Sequence, residues 1–148
     1  MIIVAQRCSS AKVVINKKVF SEIKSGLLLF IGIEIGDNQK DIVKVGDKII
    51  NLRIFEDYKG KMNLSVLDIA GSILAVSQFT LCANVKKGRR PSFVNAESPD
   101  ISFNLYKKLT NEFREKGVRT MEGCFGETMS VELNNEGPAT FIINSNNL

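Results

Sequence analysis

Leu27-Leu28-Leu29-Phe30-Ile31-Gly32-Ile33 has no polar side chain, and this constrains the fold more than any other stretch. Alternate residues of a strand face opposite sides of a sheet, so an apolar residue at every position calls for cover on both faces. The run therefore reads as a central strand, because it is far shorter than the roughly 20 residues of a membrane-spanning helix. The opening Met1-Ile2-Ile3-Val4-Ala5-Gln6-Arg7 lacks the basic region and long apolar region of a signal peptide. The chain is expected in the cytoplasm, with no membrane association.

The flanking segments supply neighbours and cover for that strand. Met1 to Cys8 and Ala11 to Asn16 are rich in β-branched residues, and Asn16-Lys17-Lys18 turns the chain into Val19 to Ile23, a hairpin. Asp37 is placed to cap a helix over about Gln39 to Leu52, where Ile42, Val45, Ile49 and Leu52 share one face. Ser98-Pro99 starts a second helix that Gly117 ends, with Ile101, Leu105, Leu109 and Phe113 as its apolar stripe. Ile73 to Leu81, Val118 to Met121, Thr128 to Asn134 and Ala139 to Asn144 read as further strands. The expected fold is α+β: a single domain over residues 1–148, with mostly antiparallel β-strands and two main helices.

The chain contains no histidine. That removes Ser-His-Asp triads, Cys-His dyads, histidine general bases and H-E-x-x-H zinc sites together. Cys8, Cys82 and Cys124 are odd in number and show no C-x-x-C spacing, so they read as buried thiols. Neither glycine-rich nucleotide motif is present. No cofactor and no metal is expected, and any catalysis must proceed without imidazole.

Three segments are candidates for function. The net charge of +4 is concentrated in Lys86-Lys87-Gly88-Arg89-Arg90, inside a polar loop from Ala83 to Ser98. Loops of that length in a compact domain are more often functional than not, although a solvated surface run accounts for the charges equally well. Ser77-Gln78-Phe79-Thr80 interrupts an apolar strand with polar side chains, which suits either satisfied strand hydroxyls or a binding site. Strand alternation puts Gln78 and Thr80 on one face and Ser77 and Phe79 on the other, so a site there needs backbone N–H groups as well. Asn135-Glu136-Gly137-Pro138-Ala139-Thr140 reads as a hairpin turn. Only about 5–6% of X-Pro bonds in folded proteins are cis, so general odds favour trans at Pro138.

Taken together, Ser77-Gln78-Phe79-Thr80-Leu81, Lys87-Gly88-Arg89-Arg90-Pro91-Ser92-Phe93, Asn51-Leu52-Arg53-Ile54-Phe55-Glu56-Asp57 and Asn135-Glu136-Gly137-Pro138-Ala139-Thr140 resemble the D-aminoacyl-tRNA deacylase family. The resemblance runs over nearly the whole chain in the family's order, including Gln6-Arg7-Cys8-Ser9-Ser10-Ala11. Ala139 departs from it, standing where a bulkier β-branched residue is usual, as does Cys82, which often replaces an aromatic. The resemblance implies barrel-like sheets and hydrolysis of the ester joining a D-amino acid to tRNA. It implies that Ser77, Gln78, Phe79 and Thr80 line the pocket for the aminoacylated 3′ end. It further implies that a cis Gly137-Pro138 pair is carried across a homodimer interface into the partner's pocket, with Arg7 and Met129 holding or flanking that pair. Lys86, Lys87, Arg89 and Arg90 would contact tRNA phosphates.

With no histidine beside it, the Thr80 hydroxyl lacks a general base and is a poor nucleophile at neutral pH. On a tRNA ester, backbone N–H groups around Phe79 and Thr80 are therefore expected to polarise the carbonyl, with the substrate's own ribose 2′-hydroxyl assisting water. Two other readings compete. One is a non-catalytic RNA-binding module in which the basic loop and Phe93 grip a single-stranded end; the other is a purely structural dimer.

Overall fold

The computed structural model describes residues Met1–Leu148. Its strands are β1 (Ile2–Ile15), β2 (Lys18–Ile23), β3 (Gly26–Gly32), β4 (Phe55–Glu56), β5 (Met62–Leu64), β6 (Ser72–Ser77), β7 (Arg119–Glu122) and β8 (Ser130–Asn144). Its helices are α1 (Gln39–Asn51) and α2 (Pro99–Glu115). The main sheet runs β2-β1-β3-β6-β7, with β8 on the free edge of β1, while β4 and β5 form a separate small hairpin. The segments expected as two strands, Met1 to Cys8 and Ala11 to Asn16, are one continuous β1. Its first half pairs with β3 and its second half with β2, both antiparallel, and β8 pairs antiparallel along its other edge.

The pairings of β3 with β6 and of β6 with β7 are parallel, so the antiparallel majority rests on β1. Parallel neighbours need a crossover connection, and here α1 lies in the one between β3 and β6 while α2 lies in the one between β6 and β7. The helices pack together on one face of the sheet. Leu27, Leu29 and Ile31 point into that layer with Ile3, Ala5, Ile73, Ile42, Ile49, Leu109 and Phe113. Leu28 faces the other way, into a second buried cluster with Cys8, Val13, Ile23, Leu74 and Val76. β3 is thus covered on both faces, as its uninterrupted apolar run requires. The second cluster lies where the sheet curls toward a barrel: Ser21 Oγ on β2 donates to Glu122 O on β7 at 2.8 Å.

Several local expectations are corrected. Asn38, not Asp37, caps α1: its Oδ1 accepts from Lys40 N–H at 2.9 Å, and Asp41 Oδ2 accepts from Asn38 N–H at 3.0 Å. Asp37 is engaged elsewhere, accepting from Glu34 N–H at 2.6 Å and from the Met1 amino group at 2.5 Å. Ser98 makes no side-chain capping bond to α2. Ile101 is 48% exposed and leaves the core stripe to Leu105, Leu109 and Phe113, joined by Tyr106. Cys124 is half-buried, unlike Cys8 and Cys82. The segments expected as the strands Thr128 to Asn134 and Ala139 to Asn144 are one strand, β8, interrupted by a bulge.

Glu122 ties α2 to the sheet, receiving Lys107 Nζ at 2.8 Å and Arg114 Nη2 at 2.5 Å. Burial opposes its ionisation, but hydrogen bonds from Lys107, Arg114 and Thr110 outweigh it and hold the carboxyl below the ordinary glutamate range. A carboxylate whose pKa is lower folded than unfolded adds stability above the unfolded value, and that contribution is lost as pH falls through the folded value. Urea unfolding is therefore expected to show wild-type stability dropping as pH falls below about 4.3. Glu122→Gln should start lower at neutral pH and lose less over the same interval; parallel pH curves would show that Glu122 does not contribute to the acid transition.

Candidate active site

β3 and β6 are parallel, so both deliver their C-terminal ends to the same edge of the fold, and the chain leaves the sheet there. Ser77 is the last residue of the β6 ladder, opposite Ile31, and Gln78 N–H closes it by donating to Ile31 O at 2.8 Å. Phe79–Cys82 then form a turn of 3-10 helix. The strand alternation expected to run through to Leu81 stops at Ser77, and Gln78 Nε2 bonds Thr80 Oγ1 at 2.5 Å. Leu81 N–H is the first of the turn to fold back, onto Gln78 O at 3.2 Å. The N–H groups of Phe79 and Thr80 precede it, at the end of the turn where helical donors have no partner within the helix.

Cys82 anchors the turn. It is buried, with Sγ bonded to Ile33 O at 3.4 Å, and it packs on Gly32, where an added Cβ would stand 3.0 Å from both Cys82 Sγ and Leu81 Cβ. Burial, reinforced by the Glu34 carboxylate, pushes the Cys82 thiol up to about 11. Burial likewise raises Cys8 to about 11. Neither thiol ionises near neutral pH, so neither is a nucleophile there.

A cavity of about 590 Å³ opens beside the turn, within the size range of small-molecule pockets. Ser77, Gln78 and Phe79 line it, as do Met129, just before β8, and Val131 of β8. Pro99 and Ser102 at the start of α2, with Phe125, Gly126 and Glu127, also line it. Of the residues singled out in the sequence, Ser77, Gln78, Phe79 and Met129 line this cavity, while Thr80 stands just outside and is linked through Gln78. Phe125 was not signalled by the sequence. It sits in the short irregular link after β7 and is held by an edge contact with Phe103 and a tilted contact with Tyr106, at centroid distances of 5.2 and 5.9 Å. No group of three or more His, Cys, Asp or Glu side chains is placed to hold a metal ion.

Gly137 and Pro138 are not part of the cavity wall of their own chain. They sit in β8 opposite β1, where the register jumps: Gln6 faces Thr140 and Cys8 faces Asn135. One residue of β1, Arg7, therefore stands against four of β8, and the segment expected as a hairpin turn is a bulge within a strand. The Gly137–Pro138 bond is cis, against the general odds and in line with the resemblance. Arg7 is only 4% exposed, and its guanidinium fills the gap: Nε donates to Glu136 O at 3.1 Å, Nη1 to Ile54 O at 2.8 Å, and Nη2 lies 3.5 Å from Glu56 Oε1. Gly137 has φ +118°, and a Cβ on it would meet Arg7 Nη2 at 2.7 Å, so no other residue fits without displacing the guanidinium. Met129 stands in the cavity wall, and Arg7 holds the bulge of its own chain.

Lys86, Lys87, Arg89 and Arg90 are all exposed and take part in none of the ion pairs. Their loop is pinched at its base by two backbone bonds between Asn84 and Ser92, at 2.7 and 3.0 Å. Phe93 then packs edge-on against Phe79, centroid to centroid 5.0 Å, tying the basic loop to the cavity rim.

The model of the D-Tyr-tRNA(Tyr) deacylase family matches residues 4–144. A D-aminoacyl-tRNA deacylase of Aquifex aeolicus (strain VF5) is 51% identical over 142 residues, which cover 96% of this chain and 96% of the relative. A protein of Bacillus subtilis (strain 168) named an inactive D-aminoacyl-tRNA deacylase is 48% identical over 130 residues, 88% of this chain and 98% of the relative. Among solved structures, the c-Myc DNA Unwinding Element Binding Protein superposes with a TM-score of 0.92 at 36% identity, covering 97% of this chain and 98% of that one.

The bulge makes a stability prediction. Arg7→Ala strips Glu136 O and Ile54 O of their side-chain donor, and leaving a buried acceptor unpaired costs about 1–3 kcal/mol. Urea unfolding should show a loss of that order; a loss below about 0.5 kcal/mol would mean that water replaces the guanidinium.

Proposed function

This chain belongs to the D-Tyr-tRNA(Tyr) deacylase family and is a D-aminoacyl-tRNA deacylase, a hydrolase of the aminoacyl-tRNA ester bond; from that premise we propose that it proofreads chirality in translation as a homodimer. The whole chain acts as one domain, in the cytosol. Each active site combines two copies: the cavity bounded by Ser77, Gln78 and Phe79, with Thr80 at its rim, receives the terminal adenosine and its ester, and the partner supplies a Gly-Pro pair. The observation that carries this reading is the separation of the two groups in one chain. Gly137 and Pro138 are exposed and outside their own cavity, yet firmly seated on Arg7. A pair built to be rigid and presented outward fits delivery to a second copy.

In the proposed reaction the N–H groups of Phe79 and Thr80 donate to the ester carbonyl oxygen. Water attacks the carbonyl carbon, losing a proton with the assistance of the neighbouring ribose 2′-hydroxyl, and the resulting oxyanion is held by the same two donors. Collapse breaks the bond to the ribose 3′-oxygen, which leaves protonated with the tRNA, and the D-amino acid departs as its carboxylate. Donors of this kind are each worth about 10²–10³ in rate, enough for an ester that is already labile. Thr80 positions Gln78 and the turn rather than attacking.

Rejection of the L-enantiomer is steric: rigid Gly137 and Pro138 carbonyls near the α-carbon leave room for one enantiomer's side chain and collide with the other's. Glycine has no side chain to collide, so glycyl-tRNA passes as a by-product. Lys86, Lys87, Arg89 and Arg90 contact the phosphates behind the terminal nucleotide.

The direct test is hydrolysis of D-tyrosyl-tRNA beside L-tyrosyl-tRNA by the purified protein with a chelator present. The D-ester is expected to disappear and the L-ester to persist; equal loss of both would end the chiral filter, and survival of both despite tRNA binding would mean a binding module. Thr80→Ala should keep deacylation within about tenfold while a 2′-deoxy terminal adenosine abolishes it, and the reverse pattern would make Thr80 the nucleophile. Neutralising the four cations should weaken tRNA binding and flatten its salt dependence by about 0.7 in log–log slope per lost phosphate contact; unchanged affinity would remove the loop from the interface.

A further inference from the structure

β8 has no regular ladder partner between Asn135 and Thr140, so the shape of the bulge there depends on side chains. Arg7 secures its first shoulder through Glu136 O. The second shoulder is secured by Asn135. Its Oδ1 reaches across the Gly-Pro pair to accept from Ala139 N–H at 3.0 Å, and its Nδ2 donates to Thr140 Oγ1 at 3.0 Å. Gln6 Nε2 on β1 donates to the same hydroxyl at 3.2 Å, which ties this shoulder to the sheet. The carboxamide therefore spans residues 135 to 139 and closes the bulge into a ring containing Glu136, Gly137 and Pro138.

We propose that Asn135 is a specificity-determining positioning residue, whose side chain fixes the direction in which Gly137 and Pro138 are presented and so sets discrimination between D- and L-esters. This rests on the proposal that the Gly-Pro pair is the chirality gate. Asn135 touches no reacting atom; it acts through Ala139 N–H, the donor that immediately follows the pair. A steric gate works only while its groups stay in place, because a displacement of about 1 Å at a reacting centre can cost two orders of magnitude. Arg7 cannot report on this cleanly, since it also bonds Ile54 O in the body of the fold. The side-chain hydrogen bonds of Asn135 go only to Ala139 and Thr140, so its truncation separates selectivity from stability.

The chemistry of the bonds predicts which replacements work. Aspartate keeps an acceptor for Ala139 N–H, and the Thr140 hydroxyl can rotate to donate to it while still accepting from Gln6. Alanine removes both bonds. Thr140→Val removes the partner of Nδ2 and leaves the bond to Ala139.

The experiment measures initial rates on D-tyrosyl-tRNA and L-tyrosyl-tRNA for the wild type, Asn135→Ala, Asn135→Asp and Thr140→Val, with Gly137→Ala as a control on the gate itself. Asn135→Ala is expected to lower the D-to-L rate ratio about tenfold or more, Asn135→Asp to keep it within about threefold, and Thr140→Val to fall between. An unchanged ratio in Asn135→Ala, with a collapsed ratio in Gly137→Ala, overturns the role of Asn135 and leaves the gate standing. Unchanged ratios in both variants overturn the gate, and this proposal with it. If Asn135→Ala does not fold, Asn135→Ser takes its place: its shorter side chain cannot span the bulge, so the same tenfold fall is expected and an unchanged ratio overturns the role.

Discussion

Strand β1 is hydrogen-bonded along both edges over most of its length, by β8 on one side and by β3 and then β2 on the other. Its backbone groups leave little freedom for register: a slip of one residue would turn Ile3 and Ala5 away from the helices and bring Val4 and Gln6 in. That ladder gives Arg7 its significance. The wider of the two places where β8 departs from the register of β1 opens a gap in the ladder, and the guanidinium fills it with a charge-assisted donor set aimed at two carbonyls. The Gly-Pro bulge is thus part of the same hydrogen-bonding system that organises the sheet.

The cavity inherits its position from the other half of the sheet. The parallel pairing of β3 and β6 brings their C-terminal ends together, and the crossovers through α1 and α2 place the start of α2 beside them. Open α/β sheets bind ligands at the carboxyl ends of parallel strands for the same geometric reason. What is assembled at that edge combines main chain and hydrocarbon with the polar side chains of Ser77, Gln78, Ser102 and Glu127. The Cys8 and Cys82 thiols are buried and held protonated, and the Tyr106 hydroxyl is pushed above its ordinary range by burial while it donates to Ala75 O at 2.9 Å. In the proposed reaction the chemistry there falls to the Phe79 and Thr80 N–H groups and to the substrate's own hydroxyl.

The parts of this architecture that were legible in the sequence are those with a strong period. The unbroken run from Leu27 and the stripes through Ile42, Val45 and Ile49 or Leu105, Leu109 and Phe113 admit few alternatives. Asn135 to Thr140 did not disclose its geometry, because Asn, Gly and Pro are as suitable for a reversing hairpin as for a bulge, and only the shared partner β1 distinguishes the two. The end of β6 at Ser77 was hidden because Gln78, Phe79 and Thr80 continue a plausible alternation; the 3-10 turn that replaces it packs Leu81 and Cys82 on Gly32, a contact between distant segments. Asp37 and Asn38 are both good caps, and the competition was decided by the Met1 amino group, which claims Asp37. Family resemblance reached Arg7 and Met129 where periodicity had nothing to say.

The pairing of Ile2 with Asn144 has a kinetic side. A ladder between strands so far apart in sequence pays the loop-closure entropy of nearly the whole chain, and such contacts form late. During synthesis β1 can find β2 and β3 soon after they emerge, but its outer edge stays bare until β8 arrives, leaving an unpaired strand edge open to other chains. The Arg7 guanidinium must wait equally long for Glu136. Cavity walls from β3 and β6 can form earlier, whereas the Gly-Pro bulge is among the last elements a nascent molecule completes.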